Sequence, residues 1–269
     1  ALAFKAVPDD VSGREVLEAL CAELNAYERL GGLYDEVRSG LMDSPTGVSL
    51  TWKVAQWCEQ QLDRPALAEA RYQELMETCP EDDKALEALA NLYRTSENHR
   101  ALVDMLSRQA ARAGELADKQ GFLKELIDVA NTVLEDRGLA AEAWAKLLAL
   151  DPGDEEAADA LLSAYRELGL YGKLVDVLEL KASRATGEVA VSLLREVGEL
   201  SETVLDDDRR AVRAWESAAE LVPVDVDCLD RLEALYTKLE EWQTLRTLLE
   251  RRLDGLSGIG ALPVTERLA

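Results

Sequence analysis

Ala140 to Leu178 reads AAEAWAKLLALDPGDEEAADALLSAYRELGLYGKLVDVL, and this stretch decides the fold. Its apolar residues are three and four apart, first through Ala140, Ala143, Trp144, Leu147 and Leu148, then through Leu161, Leu162 and Tyr165. That spacing belongs to helices that bury one face. Asp151-Pro152-Gly153 separates the two runs, and Gly169-Leu170-Tyr171-Gly172 breaks the second before Leu174, Val177 and Leu178 open a third.

Working outward, the landmarks recur. Pro8, Pro80, Pro152 and Pro223 stand 72, 72 and 71 residues apart. Eight residues before the last three sit Tyr72, Trp144 and Trp215; thirteen after them sit Tyr93, Tyr165 and Tyr236; nineteen after sit His99, Tyr171 and Trp242. A second helical pair follows, with Leu123, Leu126, Ile127, Ala130, Val133 and Leu134 returning 71 residues on as Leu194, Val197, Gly198, Ser201, Val204 and Leu205. A period of this length means stacked supersecondary units. Four helices per period make two antiparallel hairpins, and the chain holds 14 helices, the first opening at the capping box Ser12-Gly13-Arg14-Glu15.

A two-helix unit with these residues resembles the tetratricopeptide repeat. Trp144 takes that repeat's large aromatic position in the second helix, and Ala140, with its counterparts Ala68 and Ala211, takes the small position where helices cross. Tyr165, Tyr93 and Tyr236 take the first-helix tyrosine. The alternate hairpins lack both the alanine and the proline, so the array is degenerate; HAT and HEAT repeats are the alternative helical families. The resemblance implies an all-α, right-handed superhelix of stacked hairpins over residues 1–254, with 255–269 as a connector or tail that either begins another helix or lies back on the array. Each hairpin would complete the core of its neighbour. Ala1 to Pro8 aligns with Ala145 to Pro152, so the chain is expected to begin inside a helix of a longer array.

Composition narrows the function. Of the 269 residues, 48% are hydrophobic, enough for a sizeable core, and no apolar run is long enough to span a membrane. A formal net charge of −23 disfavours nucleic acid and anionic membrane surfaces, which need clustered Lys and Arg. The acids that follow each marker proline (Asp9-Asp10, Glu81-Asp82-Asp83, Asp154-Glu155-Glu156, Asp225 and Asp227) stand where helices start and complement the helix dipole. Cys21, Cys58, Cys79 and Cys228 form no paired motif, which favours a reducing compartment and a cytoplasmic setting, the periplasm being the other option. The excess of Arg over Lys and the abundance of Ala are compatible with a GC-rich bacterial genome.

The chemistry of catalysis is not encoded in any recognisable pattern. The single histidine, His99, shares its slot with Tyr171 and Trp242 and reads as a packing or surface residue. Asp206-Asp207-Asp208 lacks the glycine and terminal glutamate of a calcium loop, and the glycines of 255–260 do not lie between a strand and a helix. No catalytic residue, metal or cofactor is expected. The resemblance implies instead a concave groove that takes a partner's peptide or helix. Its positions are Lys84, Glu87, Asn91 and Arg94 in one unit, Glu156, Asp159, Ser163 and Arg166 in the next, and Asp227, Asp230, Ala234 and Thr237 in the third. Interleaved units add Lys53, Trp57, Gln60, Glu125 and Glu196. Only Asn91 and Arg94 suggest the family's carboxylate clamp; a mainly acidic row suits a basic or amphipathic partner segment. Trp52 and Trp57, without counterparts elsewhere, are either exposed anchors or core. The expected role is a protein–protein interaction scaffold. The alternatives are the regulatory region of a larger enzyme and a structural part of a bacterial envelope, secretion or motility assembly.

Overall fold

The structure, a computed structural model, describes Phe4 and residues 6–41, 44–223 and 225–255. The expected connector beyond Gly255 lies outside the described residues. Fourteen helices fill the rest: α1 (Val11–Leu24), α2 (Tyr27–Arg38), α3 (Pro45–Gln60), α4 (Pro65–Thr78), α5 (Asp83–Thr95), α6 (His99–Arg112), α7 (Leu116–Thr132), α8 (Arg137–Leu150), α9 (Glu155–Glu167), α10 (Tyr171–Arg184), α11 (Gly187–Thr203), α12 (Asp208–Leu221), α13 (Val226–Lys238) and α14 (Trp242–Gly255). The chain forms two compact units, Ala1–Asp136 with α1 to α7 and Arg137–Ala269 with α8 to α14. In each unit every helix packs antiparallel on its neighbours in sequence, as the hairpin reading requires.

The helix starts explain the acids after each proline. Asp10, Asp82, Asp154 and Asp225 each lie two residues past a marker proline and act as N-caps. Their carboxylates accept from the backbone N–H of Gly13 (3.1 Å), Lys84 (2.9 Å), Ala157 (3.0 Å) and Asp227 (3.2 Å). Capping satisfies an N–H that the helix itself leaves orphaned, typically worth about 1 kcal/mol. The expected capping box at Ser12 is corrected here: Asp10 is the cap, and Ser12 lies inside the first turn. A β-region aspartate two residues earlier reaches the orphan N–H first.

The turns follow an equally regular rule. After the first helix of each marked hairpin, Asn25, Glu97, Gly169 and Glu240 adopt left-handed backbone, with φ of 49°, 57°, 67° and 58°. Asp63, Glu135 and Asp206 do the same after α3, α7 and α11. The following N–H then reaches back to close the helix: Asn98 to the carbonyl of Tyr93 (3.0 Å), Leu170 to Tyr165 (2.9 Å) and Glu241 to Tyr236 (2.9 Å). This closure satisfies carbonyls that a frayed end would leave open, and at five of the seven turns a glutamate or aspartate carries the left-handed strain that glycine avoids.

Helices two apart touch through long side chains, and these ties sort each unit into two layers. In the first unit Lys53 pairs with Glu18 (3.0 Å) and Arg94 with Glu125 (2.5 Å), joining α1 to α3 and α5 to α7. On the other side Arg38 bridges Asp35 (2.6 Å) and Glu74 (2.5 Å), joining α2 to α4. Burial alone would weaken the charge of Arg38, but hydrogen bonds to Asp35 and Glu74 hold its pKa above the ordinary arginine value. In the second unit Arg166 reaches Glu196 (2.5 Å) from α9 to α11, and Arg210 reaches Glu179 (2.7 Å) and Asp176 (2.6 Å) from α12 to α10.

Between the layers lies the core. Tyr93, Tyr165 and Tyr236 are buried as their shared slot predicts. The aromatic slot before the proline is less uniform: Tyr72 and Trp215 are fully buried, whereas Trp144, expected to be buried like them, is only half-buried. Within its unit α8 packs mainly against α9, while Trp215 on α12 lies between α11 and α13. Trp215 also exploits a glycine: a Cβ on Gly198 would stand 2.4 Å from its ring. His99 and Tyr171 are partly buried, but Trp242 in the same slot is 58% exposed, so that position is not the uniform packing site its bulk implied.

Candidate functional site

On α5 the residues Leu86, Leu89, Ala90 and Tyr93 face the core, which turns Lys84, Glu87, Asn91 and Arg94 outward on the layer of odd-numbered helices. The same logic on α9 buries Ala158, Leu161, Leu162 and Tyr165 and exposes Glu156, Asp159, Ser163 and Arg166. On α13 it exposes Asp227, Asp230, Ala234 and Thr237.

Many of these groups are engaged within the chain. Arg94 donates to both carboxylate oxygens of Glu125 (2.5 and 2.8 Å) and to Asn91 Oδ1 (2.6 Å). The bond to Glu125 outweighs partial burial and raises the Arg94 pKa above its usual range. The two residues that hinted at a carboxylate clamp therefore satisfy each other. Arg166 is taken by Glu196, Asp159 pairs with Lys181 from α10, and Asp230 pairs with Arg252 from α14 (2.5 Å). Thr237 donates to its own helix at Glu233 O (2.7 Å). Among the described residues Lys84, Glu87, Glu156 and Asp227 have no side-chain ion pair. These positions are thus less acidic than their composition suggests, because Lys181 and Arg252, each 22 positions from its partner, fold onto Asp159 and Asp230, while Arg94 and Arg166 neutralise Glu125 and Glu196.

The tryptophans are packed rather than presented. Trp57 is half-buried, its ring 5.2 Å from Tyr34 and 5.9 Å from Tyr27. Trp52 lies edge-on to Tyr72 at 5.4 Å and donates its indole N–H to Asp82 Oδ2 (3.0 Å), bracing the cap of α5. Lys53 is committed to Glu18, and Gln60 is exposed.

The second unit also holds a feature that repeat alignment does not reveal. An open cleft of about 990 Å³ lies between α11 and the loop from α12 to α13. Val191, Leu221, Val222 and Val226 give it apolar walls, and Glu188, Glu196 and Glu199 give it acidic ones. Arg195 enters the cleft but pairs with Asp225. Burial by itself would raise the Asp225 carboxyl; the hydrogen bonds from Arg195 and the Cys228 thiol hold it below the ordinary value. Burial, reinforced by Asp225, pushes Cys228 up to about 11, so this thiol stays protonated and inert at neutral pH. The sequence signal for the cleft was the change from Asp151 and Glu155 to Val222 and Val226 in matching slots.

No group of three or more His, Cys, Asp or Glu side chains among the described residues is placed to hold a metal ion. No described helix is long and apolar enough to cross a membrane. All four cysteines are free.

No protein-family model matches the sequence, and no curated protein does. Solved structures do resemble it. A tetratricopeptide repeat protein from Parabacteroides merdae is 14% identical, with 87% of this chain aligned to 88% of that one at a TM-score of 0.37. The Naa15/Naa10 structure bound to HypK-THB aligns with 95% of this chain, which spans 38% of that one, at 14% identity and a TM-score of 0.41. YrrB, described as a tetratricopeptide repeat protein with an unusual peptide-binding site, is 18% identical over 67% of this chain and 89% of its own, at a TM-score of 0.28.

Proposed function

We propose that the chain is a non-catalytic scaffold whose odd-numbered helices present a net-acidic face to basic or amphipathic segments of partner proteins. One observation carries this reading. Glu156 and Asp227 stand exposed at the starts of α9 and α13, in the layer tied together by Arg166–Glu196 and Arg231–Glu202, and no cation among the described residues pairs with either. A cationic segment lying across α9, α11 and α13 would meet both. Complementary charge of this kind governs encounter rate and register more than total affinity.

The test is fluorescence anisotropy of a labelled amphipathic Lys/Leu peptide against the native chain and a Glu156→Lys/Asp227→Lys variant. Asp159 and Asp230 are left alone because their reversal would strand Lys181 and Arg252. The variant should bind roughly tenfold more weakly, about 1.4 kcal/mol, with an unchanged circular dichroism spectrum. Equal binding removes the acidic face as the contact surface.

A further inference from the structure

The cleft beside α11 carries a more specific assignment. At the α12–α13 loop the chain reads Leu221-Val222-Pro223, then Asp225-Val226. The matching residues one period earlier are Leu150-Asp151-Pro152 and Asp154-Glu155, and a period before that Thr78-Cys79-Pro80 and Asp82-Asp83. Proline, cap aspartate and the leucine of the preceding period are kept, while Asp151 and Glu155 give way to Val222 and Val226. Burial does not account for the change, since Val222 is 37% exposed and Val226 59%, beside Leu221 at 50%. On the facing helix Val191 replaces the Gln120 of the preceding period. Exposed Leu221, Val222 and Val226 thus face the buried Val191 across a concavity, in a chain otherwise rich in surface acid.

Charge identifies what fits there. Arg195 is neutralised by Asp225 and Glu196 by Arg166. Glu188 and Glu199 on α11 have no cation among the described residues, so the cleft is net negative beside its apolar wall. An anionic or purely polar segment would leave those carboxylates repelled and the aliphatic walls wet. We infer that this cleft is the anchoring pocket for a basic partner segment, taking one of its large aliphatic side chains against Leu221, Val222 and Val226 while flanking Lys or Arg residues meet Glu188 and Glu199. The assignment rests on the scaffold reading and locates its strongest contact. Buried aliphatic anchors within a charged rim are how interfaces concentrate affinity in few residues.

The test uses two labelled peptides of equal charge, one Lys/Leu and one Lys/Ser, against the native chain and a Val222→Asp/Val226→Glu variant. Those substitutions restore the residue types of the preceding period, Asp151 and Glu155, so the loop and the start of α13 accept them. The Lys/Leu peptide should lose at least tenfold in affinity, whereas the Lys/Ser peptide should bind the variant as well or better because two negative charges have been added. Equal affinity of the Lys/Leu peptide for both proteins overturns the pocket; if Glu156→Lys/Asp227→Lys still weakens binding, the broader scaffold reading survives. Equal affinity of the two peptides for the native chain also overturns the pocket, since no aliphatic anchor is then needed. Absence of any Lys/Leu binding overturns both.

Discussion

Tyr72 in the first unit and Trp215 in the second occupy the same slot, and each is fully buried by a different device. Tyr72 leads its hydroxyl out to Glu59 (2.7 Å) and rests its ring edge-on against Trp52. Trp215 finds no acceptor for its indole N–H among the described residues; it fits because Gly198 has no Cβ. The residue seventeen positions before the aromatic is Ala55 for Tyr72 and Gly198 for Trp215. One slot therefore accepts a polar-tethered ring or a larger ring lodged against glycine, and the choice is made on the helix before it.

Removing the ring separates the sites most strongly. Trp215→Ala should cost about 3–5 kcal/mol, the usual range for a fully buried aromatic, and Trp144→Ala less than half of that because its indole is half-buried. Urea midpoints of the two variants check the order; equal losses would mean that burial in this slot does not govern stability. Filling the glycine comes next. Gly198→Ala places a methyl group within van der Waals overlap of an indole that cannot move outward, and overpacking of this kind costs about 1–3 kcal/mol. A midpoint unchanged by that substitution would show that α11 and α12 separate freely.

The tyrosine device has a pH signature. Burial first, then the neighbouring Glu59, holds the Tyr72 hydroxyl well above its ordinary pKa, and Tyr34 beside Glu18 and Tyr236 beside Glu216 behave likewise. The folded chain thus favours the neutral phenol. The resulting stability is complete below the ordinary tyrosine value of about 10 and is lost as pH rises above it. Unfolding midpoints should be flat from about pH 8 to about pH 9.5 and then fall, with a smaller fall in Tyr72→Phe. At neutral pH that variant loses one hydrogen bond, about 1 kcal/mol. An equally steep alkaline fall in both proteins would assign the loss to other groups.

Much of this was legible in the sequence for a physical reason. Helix faces, the aromatic slots and the recurring tyrosines depend on spacing within one or two helices, and spacing is what a sequence displays. The acids after each proline were recognised as helix-start residues, though capping by Asp82 and Asp154 is a tighter role than dipole complementarity. The left-handed turns at Glu97 and Glu240 were missed because glutamate gives no sign of positive φ; only Asn25 and Gly169 in the same slot hinted at it. Helical spacing puts the candidate residues on exposed faces of α5, α9 and α13, but spacing does not display which of their charges are paired within the chain. Ties such as Arg94 to Glu125 and Arg166 to Glu196 join residues 31 and 30 positions apart, a separation that acquires meaning only once the helices of one layer are seen side by side. The role of Gly198 likewise needs the indole that lies over it.

Hydrogen exchange with and without the Lys/Leu peptide tests the binding face most directly. Slowed exchange should appear at the start of α9, along α11 from Gly187 to Glu199 and through the loop from Leu221 to the first turn of α13, with α10 unaffected. Protection centred on α10, or none at saturating peptide, would contradict it.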